Sequence, residues 1–336
     1  MEPLVSILIP AYNSAPWVAE SIRSALDQTW ARKEIIIIDD GSVDRTFAIA
    51  QQFAASNVMV LTQENRGVCA ARNRASELAQ GDYIQWLDAD DLLAPDKIEK
   101  QLQVARGLPS KGTLLSGAWG SFMYRVSNAK FRPTPLWSDL TPVEWLVRKM
   151  GRNLHMQTAT WLVTRELTEA AGPWDTRILR DNDGEYFSRM ILLSDGIRFV
   201  PDAKVFYRTT DSTRVSHIGR SKSKIEAQFL SMELHVKYVC SLEDSERTRA
   251  ACVQYLQERL PNSYPYCPEV VAKAQDLARS LGGELQIPRL RWKYAWTQPL
   301  VGYKAAKHVQ YMMPQLKVSL LRLWDKLLFT LERRRA

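Results

Sequence analysis

The chain has 336 residues, 46% of them hydrophobic and 24% charged, with a formal net charge of +8. That length suits two domains, or one α/β domain with an appendage, and the composition is ordinary for a soluble globular protein rather than a disordered or fibrous one. The opening "MEPLVSILIP" carries an acid where a secretory signal has a basic run, and no apolar run approaches the roughly 18 residues of a membrane span, so a cytoplasmic protein is expected. The four cysteines, Cys69, Cys240, Cys252 and Cys267, are scattered, with no CxxC spacing, and read as reduced thiols rather than a metal or disulfide framework.

In chain order, "VSILIPAYN" reads as a strand ending in a loop. "APWVAESIRSALDQT" spaces Val18, Ile22, Ala25 and Leu26 as one helical face. "KEIIIIDDGS" is a strand buried on both faces, because four consecutive isoleucines leave no side for water. "VDRTFAIAQQFAA" is helical, "VMVLTQ" a strand, "VCAARNRASELAQ" a helix and "DYIQWLDADD" a strand. This βαβαβαβ rhythm predicts an α/β fold with a mostly parallel sheet flanked by helices. Later come a helix at "KIEKQLQVARGL", one or two strands at "TLLSGAWGSFMYRV", and a helix at "TPVEWLVRKMG" capped by Thr141 with Pro142 in its first turn. "DNDGEYFSRMILLSDG" reads as a helix with an acidic start and "IRFVPDAKVFYR" as a strand pair, and the chain is mainly helical from Ser221.

In parallel sheets ligands sit beyond the carboxyl ends of the strands. Four polar loops fall there: Pro10 to Asn13, Asp39 to Ser42, Asn65 to Gly67, and Asp88 to Asp91. The acids Asp88, Asp90 and Asp91 crowd together, and unpaired carboxylates are costly to desolvate. A hard divalent ion such as Mg²⁺ or Mn²⁺ would relieve that cost, with Asp88 and Asp90 facing one ligand if the segment is extended. The bland alternative is that Asp90 or Asp91 caps the next helix. No G-x-G-x-x-G follows the first strand, which disfavours a dehydrogenase, and "PAYNSAPW" is not the Gly-rich basic loop of a sugar nucleotidyltransferase.

The blocks "VSILIPAYNSAPWVAESIRSALDQTW", "EIIIIDDGSVDRT", "ENRGVCAARNRASELAQGDYIQWLDADD" and "GPWDTRILRDNDGEYFSRMIL" resemble, in order and spacing over about residues 4 to 210, those of the family 2 glycosyltransferases. The resemblance implies a GT-A fold and inverting transfer from a nucleoside-diphosphate sugar, UDP-linked by expectation, to a glycan or lipid-linked acceptor, in polysaccharide or glycoconjugate synthesis. It implies that Pro10, Ala11, Tyr12 and Asn13 form the first nucleotide loop, with the Tyr12 ring against the base, and that Asp40 hydrogen-bonds the base. Asp39 and Ser42 would shape that turn, and Arg72 would lie near the diphosphate. Asp88, Ala89 and Asp90 match the D-x-D element, Asp90 being the better metal ligand and Asp88 the second.

The same resemblance gives Asp183 as general base, with Arg189 at the matching offset and Asn182 where the family usually has Glu. A helix start would lower the Asp183 pKa. Asp181 and Glu185 compete for the base role or act as capping acids. Trp174 and Asp175 line the acceptor side or are core and turn residues. His217 is a weak third metal ligand and more readily a structural histidine.

The expected domains are 1–215, catalytic, divided into a nucleotide-binding half (1–100) and an acceptor half (101–215), and 216–336, a helical region with a basic amphipathic tail. In that tail Leu316, Leu320, Leu323, Trp324, Leu327, Leu328 and Leu331 share one helical face. Such a face suits peripheral contact with the cytoplasmic side of a membrane, or packing on protein. No nucleic-acid partner is expected. A catalytically degenerate scaffold protein is the non-enzymatic alternative.

Overall fold

A computed structural model describes residues 2–209, 221–296 and 298–335, without the side chains of residues 311, 314–317 and 333–335. The first half runs β1 (Val5–Ala11), α1 (Val18–Leu26), β2 (Lys33–Asp39), α2 (Thr46–Gln51), β3 (Val58–Thr62), α3 (Val68–Leu78) and β4 (Tyr83–Trp86). The strands pair in parallel in the order β3-β2-β1-β4, with Ala11, Asp39 and Thr62 in register at their carboxyl ends. The isoleucine run divides between the two faces of the sheet. Ile35 and Ile37 join Ile7, Ile9, Val18 and Ile22 in one cluster, while Ile36 and Ile38 join Leu8, Ala71 and Ala75 in the other. Alternation along a doubly covered strand produces that split.

The second half is mixed. It comprises β5 (Leu92–Leu93), α4 (Lys97–Ala105), β6 (Thr113–Phe122), β7 (Lys130–Phe131), α5 (Pro142–Gly151), β8 (Leu162–Thr164), α6 (Arg165–Ala171), α7 (Asn182–Leu193) and β9 (Gly196–Arg208). β8 inserts antiparallel between β4 and β6, and β9 runs parallel to β6 on its other side. The sequence reading of a strand pair at 197–208 is corrected: β9 is one strand, and the irregularity lies where its register against β6 shifts between Gly117 and Trp119. The cap expected at Thr141 is present, its hydroxyl accepting from Glu144 N–H at 3.3 Å.

The remaining helices are α8 (Lys222–Leu242), α9 (Glu246–Ser263), α10 (Pro268–Ser280), α11 (Trp292–Ala295) and α12 (Gln298–Arg335), the last interrupted at Gly302 by φ 75°. Ile225, Phe229, Met232, Tyr255 and Leu256 of α8 and α9 share a hydrophobic cluster with Trp145, Tyr186 and Phe187 of α5 and α7. The C-terminal helices therefore brace α7, the helix that carries Asp183. No helix of the described residues is long and apolar enough to cross a membrane.

Candidate active site

The β1 and β2 ends are tied into one edge. Asp40 N–H donates to Ala11 C=O at 2.8 Å, Asn13 N–H to Ser42 Oγ at 2.9 Å, and Val43 N–H to Asn13 Oδ1 at 3.0 Å. Asn13 takes φ 45°, a turn conformation that Asn tolerates, and this turns the chain away from β1. Pro10 and Ala11 are buried strand residues, whereas Tyr12 keeps 49% of its surface open beside the edge.

Asp40 is engaged within the protein. Its carboxylate accepts from Gln63 Nε2 (2.7 Å), Arg66 N–H (3.0 Å) and Gly67 N–H (2.8 Å), so it shapes the loop that starts α3. Asp39 is different: Oδ2 accepts from Ser42 N–H and Thr62 Oγ1, while the buried Oδ1 has no hydrogen-bond partner. A buried acceptor of this kind is costly unless something donates to it. The sequence reading passed over this oxygen because adjacent acids in "DDGS" are indistinguishable without the loop that one of them satisfies.

The acids after β4 do not form an extended segment. Asp91 N–H donates to Asp88 C=O at 3.0 Å, closing a turn, so the alternation argument that put Asp88 and Asp90 on one side does not hold. Three separate partners tolerate the cluster instead. Asp88 pairs with Arg72 at 2.7 Å. Asp91, fully buried, accepts from Gln157 Nε2 (2.6 Å) and Arg208 N–H (2.8 Å). The Asp90 carbonyl accepts from Arg208 Nε at 2.8 Å. Asp91 is thus structural, and the helix-capping alternative is not realised, since Asp96 stands at the start of α4.

Arg72 is a buried hub rather than a surface residue. Beyond its ion pair with Asp88, it donates to Asn182 Oδ1 at 3.1 Å, and its guanidinium lies 4.2 Å over the Trp174 ring. It joins the β4 turn to the first turn of α7. Trp174 is core, stacked on Tyr186 at 3.8 Å, and Asp175 pairs with Arg177 at 2.7 Å. Arg208 was not singled out from sequence. It holds the β4 turn from beneath, pairs with Glu20 at 2.6 Å and lies 4.2 Å over the Trp17 ring. A lone arginine ending a strand carries no motif that would announce this.

At the head of α7 the three acids separate by role. Glu185 is buried, pairs with Arg189 at 2.8 Å and accepts from Tyr238 OH at 2.7 Å. Asp181 adopts φ 59° and accepts from Tyr255 OH (3.1 Å) and Ser231 Oγ (3.3 Å), with Arg259 at 3.7 Å. Burial alone would raise its pKa. The Arg259 and Lys149 cations, with His235 and the Tyr255 hydroxyl, outweigh that and hold the carboxyl well below the usual carboxylate range. Both competitors for the base role are therefore tied into the scaffold.

Asp183 behaves oppositely. Its pKa is raised, first by burial and then by the Asp181 charge, against the pull of Arg72 and His155. The lowering expected from the helix start is corrected: desolvation and a like charge outweigh the dipole.

Among the described residues no group of three or more His, Cys, Asp or Glu side chains gathers to hold a metal. His217 lies outside the described residues. Of the two expected metal ligands at the β4 turn, Asp88 has its carboxylate paired with Arg72 at 2.7 Å.

Residues 6–141 match the model of Glycosyl transferase family 2. An uncharacterized glycosyltransferase of Haemophilus influenzae is 45% identical over 103 residues, 30% of this chain and 41% of that protein. Chondroitin synthase of Escherichia coli is 39% identical over 137 residues, 36% of this chain and 20% of that protein. The match thus spans about a fifth to two fifths of these relatives' length. TarS residues 1–349 of S. aureus, in complex with UDP, superpose with a TM-score of 0.61 at 16% identity, covering 92% of this chain and 91% of that one. A second TarS structure, with UDP-GlcNAc, gives 0.60 at 15% identity, covering 89% and 93%. The strand-end loops, the sheet order and these likenesses agree: the chain has the GT-A fold, and over residues 6–141 it is similar to glycosyl transferase family 2.

Proposed function

We propose that this protein transfers a sugar from a UDP-sugar to an acceptor hydroxyl with inversion, Asp183 taking the acceptor proton. The observation that carries the reading is the contrast at the head of α7. Asp181 is pinned as an anion, whereas Asp183, two residues on, has raised proton affinity and is linked through Asn182 and Arg72 to the Asp88 turn. A carboxylate with raised pKa is a better proton acceptor at neutral pH, and general-base catalysis typically contributes roughly 10²–10⁴-fold.

In this reading Tyr12 receives the base, and Asp39 Oδ1, the buried acceptor without a partner, hydrogen-bonds it, with Asp40 shaping the loop behind. Asp90 and Asp88 hold Mg²⁺ or Mn²⁺, which when bound offsets charge on the departing diphosphate. Arg72 keeps the donor turn and the base helix in register. UDP and UDP-GlcNAc bound to TarS support the uridine nucleotide, and chondroitin synthase among the relatives supports polysaccharide or glycoconjugate assembly. The setting proposed is the cytoplasm or the cytoplasmic membrane face, with a glycan or lipid-linked acceptor.

The test is a thermal-shift panel of nucleoside diphosphates with and without Mn²⁺, followed by Asp183→Asn. Stabilisation by UDP that requires metal supports the donor, and transfer abolished in Asp183→Asn with nucleotide binding retained supports the base. A flat panel favours the scaffold alternative, and turnover retained by Asp183→Asn moves the base elsewhere.

A further inference from the structure

The C-terminal segment departs from the rest of the chain in charge. From Gln286 to Ala336 eleven Lys/Arg stand against two acids, while the preceding residues hold 34 Lys/Arg and 35 acids. Both tail acids, Asp325 and Glu332, are turned toward the catalytic region. Asp325 lies 2.8 Å from Arg125 Nε and accepts from Tyr124 N–H at 2.9 Å, and Glu332 lies 3.0 Å from Arg125 Nη1. The Phe329 ring meets Tyr124 at 5.8 Å. A second clamp is formed where Lys307 Nζ donates to the Pro261 and Tyr264 carbonyls and the Tyr303 ring meets Tyr264 at 5.4 Å. Lys307 and Asp325 stand about five helical turns apart, so both clamps fall on one side of α12.

The other side is bare. Val309, Met313, Leu320, Trp324, Leu327 and Leu331 recur at the spacing of a single stripe and are exposed, Leu320 by 69% and Trp324 by 62%. The stripe runs about 33 Å. On α11, Trp292 at 88% and Trp296 at 67% are exposed as well, beside exposed Arg291 and Lys293. Lys304 and Lys326 are exposed along α12 itself.

We infer that this face of α11 and α12 docks onto an anionic lipid surface, lying in its interface while the opposite side stays clamped to Arg125 and the α9 end. The stripe is not packed on the catalytic region, since Asp325, Phe329 and Glu332 occupy that contact. A second copy would set the tail's cations against themselves, because both tail acids that could answer them are spent on Arg125 and Tyr124. An anionic headgroup layer answers those cations, and tryptophans favour its depth. Crossing is excluded by the polarity of the helix. Tyr124 also touches the Trp17 ring at 5.6 Å, just past the Asn13 loop. That contact sets the clamped side of α12 beside the strand-end loops, with the lipid-facing side one helix diameter farther out; that this distance suits a lipid-linked acceptor alone rests on the transferase reading.

The test is flotation of the full chain with vesicles of phosphatidylcholine alone or with about a third phosphatidylglycerol. Wild type should float with the anionic vesicles and be released by salt. Leu320→Glu with Leu327→Glu should cut partitioning about 100-fold or more. Arg291→Gln with Lys293→Gln, the exposed cations beside Trp292, should cut it about 30-fold at low salt. All four side chains are exposed, so circular dichroism and melting should match wild type. Indifference of wild type to anionic vesicles would overturn the inference. So would full binding by the Leu→Glu pair, or light scattering that shows a vesicle-indifferent dimer dissolved by that pair. Nucleotide-induced thermal shifts measured on the same variants report the donor site separately, so failure here leaves the transferase reading standing.

Discussion

Replacing Arg72 by Met tests whether the donor turn and the base helix are held by one side chain. The residue is 4% exposed. Its loss removes a charge-assisted hydrogen bond to Asp88, worth about 1.5–3 kcal/mol, and leaves the buried Asn182 oxygen unpaired, at about 1–3 kcal/mol. The guanidinium over Trp174 adds about 0.5–2 kcal/mol. Two effects offset part of this. Met escapes the desolvation penalty of a buried cation whose Nε has no partner, and Asp88, 30% exposed, can be rehydrated. The net destabilisation is about 3 kcal/mol, a fall in Tm of about 4 °C for a chain of 336 residues. Urea unfolding and calorimetry measure it. A double-mutant cycle with Asp88→Asn should return about 1–3 kcal/mol of coupling. Arg72→Lys should recover only the Asp88 contact, because an ammonium cannot also reach Asn182 and lie flat on the indole. A loss under about 1 kcal/mol, or no coupling to Asp88, would refute the bridging role.

Asp183→Asn should raise Tm at pH 7.5. A carboxyl with raised native pKa gives stability that is present at low pH and lost as pH rises through that pKa, so the gain should vanish toward pH 4 and its absence at pH 7.5 would count against burial of the charge. His235 is fully buried, and its pKa is pushed from 6.5 to about 3 by burial and by Lys149. The unfolded chain therefore binds the extra proton first, and stability is lost as pH falls from 6.5 toward 3, by up to roughly 4 kcal/mol. His235→Gln should flatten urea-unfolding stability between pH 6.5 and 4, below which Asp181 adds its own loss. Gly184→Ala should cost about 1–3 kcal/mol, because its Cβ would meet Asp181 Oδ1 at 2.4 Å and that carboxylate is held by Tyr255, Ser231 and Arg259; an unchanged melt would show that Asp181 can move freely.

The nucleotide-binding half was legible because its signals are local. Four consecutive isoleucines can only be a strand covered on both sides, and polar residues follow each strand at the end where parallel sheets bind ligands. The second half was harder for a local reason too. β8 is three residues long, so no period can show that it enters antiparallel between β4 and β6. The β4 turn failed differently. Extended geometry was carried five residues too far, past Trp86 to Asp91, where the chain must bend to bring Asp91 to the Arg208 N–H.

The contacts that sequence reasoning did not show share one property: they are made with partners far along the chain. Arg72 meets Asn182 110 positions later, and Arg208 reaches the Asp90 carbonyl 118 positions back. Asp40 and Asp39 are equivalent as letters, and only the approach of Gln63, Arg66 and Gly67 consumes one carboxylate and leaves an oxygen of the other open. The same holds for the proton affinity of Asp183. A helix start lowers a carboxyl pKa by a fraction of a unit at an exposed site, since its worth is about 0.3–1 kcal/mol there. Desolvation, with the Asp181 charge held beside it by Arg259 and Lys149, acts in the other direction and wins, and neither those distant cations nor the desolvation is written within the local sequence around residue 183. The C-terminal helices are therefore part of the chemistry proposed for this site: Arg259 and Tyr255 of α9 help hold Asp181 as an anion, and that like charge is the second cause of the raised proton affinity of Asp183.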